Sequence, residues 1–145
     1  MNELKIIDKF SGEYRWLSNF WIHDTYKNLS VEHHYQAAKT TNIHDWFYIM
    51  AQDTPGKAKR IGKEITVRQD WDMVKLILME QFIRDKFTMN MELRLKLMDT
   101  RGITLMESNT WGDTYWGVCD SFGLNHLGKI LMKVRDEYLD VSKIY

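Results

Sequence analysis

The chain has 145 residues, 44% of them hydrophobic and 28% charged, which suits one globular domain with its own core. Its apolar runs, such as Leu76 to Met79, fall far short of the roughly 20 residues that a membrane-spanning helix needs. Twenty basic residues against twenty acidic ones argue against sequence-blind adhesion to long nucleic acid, and the single cysteine, Cys119, excludes an internal disulfide and a thiolate zinc cluster.

The first residues, Met1 to Lys5, alternate charge with apolar side chains and lack a signal peptide's apolar core, so a cytoplasmic protein with no membrane partner is expected. Ile6 to Phe10 and Arg15 to Ile22 are aromatic and β-branched, which predicts an extended entry. From Val31 the pattern turns helical, with Ser30 as N-cap and with Glu32, Tyr35, Gln36 and Lys39 at i, i+3, i+4 and i+7 on one face. Thr54, Pro55 and Gly62 mark another helix: a cap, a proline at the first helical position, and a glycine just past the end. Asp70 to Lys86 carries Trp71, Val74, Leu78 and Phe82, widened by Ile77 and Ile83, as a core-facing stripe. Glu92 to Leu97 alternates with period two, but Leu, Glu, Arg and Lys are helix formers without β-branches, so a helix is expected. After the break at Arg101-Gly102 comes a short strand, Ile103 to Met106, then a loop from Ser108 to Gly123 rich in Gly, Asp and aromatics. A final helix begins near Asn125, with Leu127, Ile130, Leu131, Val134 and Tyr138 on one face. The expected fold is mainly α, a single multihelical domain over residues 1–145 with minor short strands.

Two features fit a purely structural reading poorly. The face Glu32, Tyr35, Gln36, Lys39 holds a carboxylate, a phenol, an amide and an ammonium where a packing helix puts Leu or Ile; it is either a solvated stripe or a site. Seven residues at about 1.5 Å each put Glu32 and Lys39 roughly 10 Å apart, a span that suits flanking a sugar. The second feature is Asp113 in a loop with Trp111 and Trp116, rings that either plug the core or close over a ligand. Asn125 offers a donor and acceptors, or caps the last helix. Lys57, Lys59, Arg60, Lys63 and Arg68 against the one acid Glu64 form either a solvated face or a phosphate contact. His33 and His34 are adjacent and point apart on a helix, and His23, His44 and His126 have no partner at i+3 or i+4, so no metal is expected.

Taken together, the segments Gly12 to Phe20, Glu32-His33 with Tyr35 to Lys39, Ala58-Lys59 with Gly62, Asp70-Trp71 with Lys75, Lys86-Phe87, Leu105 to Glu107, Asp113 with Tyr115 to Gly117, and Gly123 to Asn125 with Leu127-Gly128 resemble the YbiA-like (NADAR) family along nearly the whole chain. The resemblance implies a cofactor-free N-glycosidase that hydrolyses an N-ribosyl bond, either in ribosylamino-pyrimidine phosphate intermediates of riboflavin synthesis or in ADP-ribosylated guanine of nucleic acid. It places the family's glutamate, tryptophan, aspartate and lysine on Glu32, Trp71, Asp113 and Lys39. Asn19, Tyr35, Trp116, Gly117 and Asn125 are the remaining expected substrate contacts. Val31 and His34 depart from the family's usual residues, which bears on substrate choice.

Cleaving the C1–nitrogen bond builds positive charge on the ribose, which a carboxylate at Glu32 would stabilise, or relieve by activating water. Asp113 between tryptophans would supply the leaving nitrogen's proton, and Trp71 or Trp116 would stack the departing base. Alternatively, the amine of a desolvated Lys39 attacks C1 of the opened ribosylamine. A competing class is a non-catalytic ADP-ribose or nucleotide-binding module, which would have no need of an acid pair.

Overall fold

The computed structural model describes residues 5–142, and side chains as far as residue 140; the reading of residues 1–4 as leaderless lies outside that range. Contacts sort the chain into two units, one continuous from Asn19 to Lys86, the other made of the segments before and after it. The mainly helical architecture with minor β structure is observed. No described helix is long and apolar enough to cross a membrane.

The continuous unit opens with the hairpin of β2 (Ile22–Asp24) and β3 (Leu29–Ser30), the second and third strands of the chain. The hairpin turns through Asn28, whose φ of 58° is a left-handed value that Asn tolerates better than most residues, and Asp24 Oδ1 accepts the Lys27 N–H at 2.9 Å. Ser30 then caps α1 (Val31–Ala38), as expected. Next come α2 (Ile43–Met50), capped by Asn42, and α3 (Pro55–Gly62), capped by Thr54 with Pro55 in its first turn. Ala37, Ile49, Ala58 and Ile61 form the core where these three helices meet, with Met50 and Ile65 packed against it. Gly62 is the last helical residue of α3 rather than a left-handed stop beyond it. Its bareness serves packing: a Cβ there would overlap the Gln36 amide of α1.

The long helix α4 (Trp71–Thr88) forms as predicted and buries Trp71 and Ile83 of the expected stripe, but the rest of its buried face differs. Trp71, Met79, Ile83 and Lys86 are buried, whereas Ile77 is 70% exposed and Val74, Leu78 and Phe82 are half-buried. Apolar residues occur on most sides of this helix, so the stripe through Trp71, Val74 and Leu78 was one of several the sequence permits.

In the other unit, β1 (Ile6–Ile7) pairs in parallel with β4 (Thr104–Leu105), Ile6 against Thr104. The expected extension of Arg15 to Ile22 is corrected: Gly12–Leu17 is a 3₁₀ helix, and the chain becomes extended again only at Ile22. Trp16 and Leu17 are adjacent and both buried, which a strand, sending successive side chains to opposite faces, could not do with one face in water. Trp16 meets the Phe87 ring edge-on at 6.4 Å. Helix α5 (Met91–Asp99), capped by Asn90, confirms the choice of helix over strand. The last helix, α6 (His126–Ser142), buries Leu127, Ile130, Leu131 and Val134 as predicted, and also Arg135. Arg135 Nη1 donates to Thr100 O at 3.0 Å and Ile103 O at 2.7 Å, so a buried guanidinium satisfies carbonyls at the end of α5.

Candidate active site

Helix α1 is held at its start by reciprocal bonds: His33 N–H donates to Ser30 Oγ at 3.3 Å, and Ser30 N–H donates to His33 Nδ1 at 3.1 Å. With Nδ1 accepting, His33 carries its proton on Nε2, which donates to Gln52 O at 2.9 Å. His33 is therefore a structural capping residue. The N–H of Glu32 donates to Asn19 O at 3.0 Å, so Asn19 acts on Glu32 through its backbone, while its side-chain amide points to Met79 Sδ at 3.5 Å.

The polar face of α1 is not solvated. Glu32 is 7% exposed, Gln36 3% and Tyr35 9%. Gln36 Nε2 donates to Glu32 Oε1 at 2.6 Å, a charge-assisted bond one turn along the helix. The Tyr35 ring packs against Trp71 with centroids 5.1 Å apart, tilted by 54°. Lys39, the C-cap of α1, sets its ammonium 5.5 Å from the Tyr35 ring centroid. Burial pushes the Lys39 pKa below the usual lysine value; Glu32 opposes that shift, and Lys59, Lys63 and Lys75 reinforce it. Glu32, Asn19, Tyr35, Lys39 and Trp71 thus lie together in one unit, with three further lysines in electrostatic reach. Of the basic run, Lys57 is paired with Asp53 and Arg68 with Asp70, and Lys59 lies over the Phe20 ring at 5.8 Å.

Asp113, Trp116, Gly117 and Asn125 belong to the other unit, where they build one loop-to-helix junction. Asp113 Oδ1 accepts the Tyr115 N–H at 3.1 Å and the Trp116 N–H at 2.9 Å, while the Asn109 side chain bonds the Asp113 backbone on both sides, at 2.8 and 3.0 Å. Trp111, one of the two tryptophans expected to wall it, is 65% exposed. Trp116 meets Tyr115 edge-on at 4.7 Å. Tyr115 and Trp116 carbonyls accept His126 N–H at 3.2 Å and Leu127 N–H at 2.9 Å, capping α6 with backbone. Gly117 is bare because a Cβ would overlap Glu107. Asn125, with φ of 52°, does not use its side chain as the helix cap: Oδ1 accepts Glu107 N–H at 3.0 Å and Nδ2 donates to Leu105 O at 2.9 Å, stapling the helix start to β4.

The sequence reading missed Gln36 as a partner of Glu32, although the i, i+4 spacing carries that signal. It also missed Lys86, 1% exposed, whose pKa burial lowers to about 7. Lys86 falls at i+3 from Ile83 and i+7 from Met79, on the buried stripe once Met79 is counted. Near it, His23 is lowered to about 4 by burial first and then by the Lys86 charge, and its ring stacks on His34 at 6.1 Å.

A NADAR domain model matches residues 8–139, through both units. The chain belongs to the NADAR family. Among the similar proteins, the N-glycosidase Npun_R5314 of Nostoc punctiforme is 39% identical, with 91% of this chain and 92% of that one covered. N-glycosidase YbiA of Escherichia coli is 34% identical over 73% of this chain and 68% of its own. Riboflavin biosynthesis protein VVA0006 of Vibrio vulnificus is 33% identical over 74% of this chain, which spans only 30% of that longer protein. The NMR structure of E. coli YbiA superposes with a TM-score of 0.83 at 32% identity, covering 99% of this chain and 90% of that one.

Proposed function

We propose that this protein hydrolyses the N-ribosyl bond of a phosphorylated ribosylamine, with a ribosylamino-pyrimidine phosphate as its substrate class, and that Glu32, Lys39, Tyr35 and Trp71 carry the reaction. At the coarser level the chain is an enzyme, a hydrolase acting on N-glycosyl bonds, as its family and its full-length N-glycosidase relatives establish. The observation that supports the finer reading is a buried carboxylate, Glu32, fixed by an amide at 2.6 Å and electrostatically coupled to Lys39, whose own charged form is disfavoured by burial. A helix built only for packing has no use for either group there.

As the C1–nitrogen bond breaks, electrons leave with the base and positive charge develops on the sugar. A carboxylate held in place meets that charge without reorganising, or takes a proton from the attacking water. Lys39, Lys59, Lys63 and Lys75 supply positive potential for the substrate's phosphate. Tyr35 and Trp71 provide the apolar floor.

Desolvation of Lys39 favours a second route on the same site. The neutral amine adds to C1 of the ring-opened sugar, the base leaves as its amine, and water then cleaves the C1=Nζ bond to return lysine and ribose phosphate. Borohydride would trap that intermediate as a covalent adduct absent from Lys39→Ala; no adduct at full turnover leaves direct hydrolysis. The substrate class is tested by base release from a ribosylamino-pyrimidine phosphate beside an ADP-ribosylated guanine oligonucleotide, each with wild type and Glu32→Ala. Release from the first, lost in the variant, supports the reading; release only from the oligonucleotide moves the substrate to modified nucleic acid. Tight binding of ADP-ribose without release from either makes the protein a binding module.

A further inference from the structure

Gln36 is almost wholly buried, yet only one end of its amide is hydrogen-bonded: Nε2 donates to Glu32 Oε1 at 2.6 Å, while Oε1 is buried with no hydrogen-bond partner among the described residues. An unpaired buried acceptor costs stability, so something must hold the amide this way. Rotating it by half a turn would set carbonyl oxygen against carboxylate oxygen, which is worse. Oε1 is therefore turned toward α3, and there it meets Gly62, where any side chain would overlap both Oε1 and Cδ. The neighbouring α3 residues Ala58 and Ile61 are buried in the core that Ala37 of α1 shares, which fixes how closely the two helices approach at this point.

We propose that Gln36 is the positioning residue for the Glu32 carboxylate, and that Gly62 is glycine in order to leave room for the Gln36 amide. This rests on the reading of Glu32 as the group that meets the sugar. The amide removes rotamer freedom from Glu32 and fixes the orientation of its carboxylate. Gly62 locks the amide, so a residue on another helix, with no donor or acceptor side chain of its own, controls the geometry of the reacting group.

The test is a double-mutant cycle of Gln36→Ala and Gly62→Ala, read by turnover, KM and thermal midpoint. Each single variant is expected to lower kcat by roughly 10- to 100-fold, the scale of a displacement of about 1 Å at a catalytic group, with KM within about twofold. In the Gln36→Ala background, where the amide is gone and only the residue 36 Cβ at 3.2 Å remains close, adding Gly62→Ala is expected to lower kcat no further and to destabilise far less than it does in the wild type. Effects that multiply in kcat or add in the midpoint overturn the link between the two residues, as does full kcat in folded Gln36→Ala. If Gly62→Ala alone fails to fold, recovery of folding in the double variant is the supporting result, and no recovery overturns the proposal. An arm independent of activity is the side-chain amide signal of Gln36 by NMR, expected to be protected from exchange in the wild type and to shift in Glu32→Gln; rapid exchange overturns the clamp. Full turnover in Glu32→Gln sinks the catalytic reading of Glu32 instead, and leaves the amide and midpoint arms to decide the clamp.

Discussion

The α1 face and the Asp113 loop have much the same polar and aromatic makeup in sequence, yet they use their polar atoms in opposite ways. On α1, backbone needs are met by the Ser30–His33 box and the Asn19 carbonyl, so the Gln36 side chain bonds Glu32, and Glu32 in turn acts electrostatically on Lys39. In the loop, the side chains of Asp113, Asn109 and Asn125 are taken up by backbone N–H and C=O groups that no helix or sheet satisfies. A regular element frees side chains for chemistry, whereas an irregular one consumes them to hold itself together.

The largest effect that would break this comparison is on Glu32. Glu32→Gln keeps the side chain's size and is expected to lower turnover by about 10²- to 10⁴-fold with ligand affinity retained. Unchanged turnover would remove Glu32 from the chemistry and with it the contrast between the two regions. The buried cations of the same unit give the next effect. Lys86 is lowered from 10.5 to about 7, so between these values the unfolded chain binds the extra proton, and stability rises with pH across that window. Below about 7 the folded state bears the full cost of the buried charge. His23, lowered from 6.5 to about 4, adds a second loss as pH falls from 6.5 to 4. Lys86→Met should make the rise of the thermal midpoint between pH 7 and 10 shallower, by up to a few kcal/mol of stability at pH 7 at about 1.4 kcal/mol per pKa unit. Lys39, also lowered by burial, leaves a residual climb, so a midpoint that rises as steeply in the variant as in the wild type refutes the assignment.

The third prediction concerns the loop. Asp113→Ala removes the acceptor for two N–H groups and should cost about 1–2 kcal/mol, as loss of a cap does, measurable by urea denaturation. The smallest effect is that of Asp113→Asn on stability, since the amide oxygen still accepts both bonds. Its turnover sharpens the comparison: a normal rate makes Asp113 a turn former only, while a stable variant with a large rate loss assigns it the leaving group's proton as well.

How far the fold could be read in advance followed from which interactions are local. Helices α1 and α3 were legible because Ser30, Thr54 and Pro55 act within three residues of themselves. The buried face of α4 was not, because apolar residues ring the helix and only tertiary packing selects Met79 over Ile77. On α1 the unusual residues were legible, but their burial was not, nor was the reason for Gly62, which lies in the approach of a helix distant in sequence. The Asp113 turn was hidden because composition does not reveal which backbone N–H groups lack partners.

The pairing of Ile6 with Thr104 also bears on how the molecule is made. During synthesis β1 leaves the ribosome first and β4 long afterwards, so Lys5 O and Ile7 O must wait for the N–H groups of Thr104 and Met106, which they accept at 3.0 and 2.9 Å. The continuous stretch from Asn19 to Lys86 needs no such delay, and can assemble its hairpin and helices while the rest is still being translated. The strand that is made early is thus the one that waits for its partner, about 100 residues later.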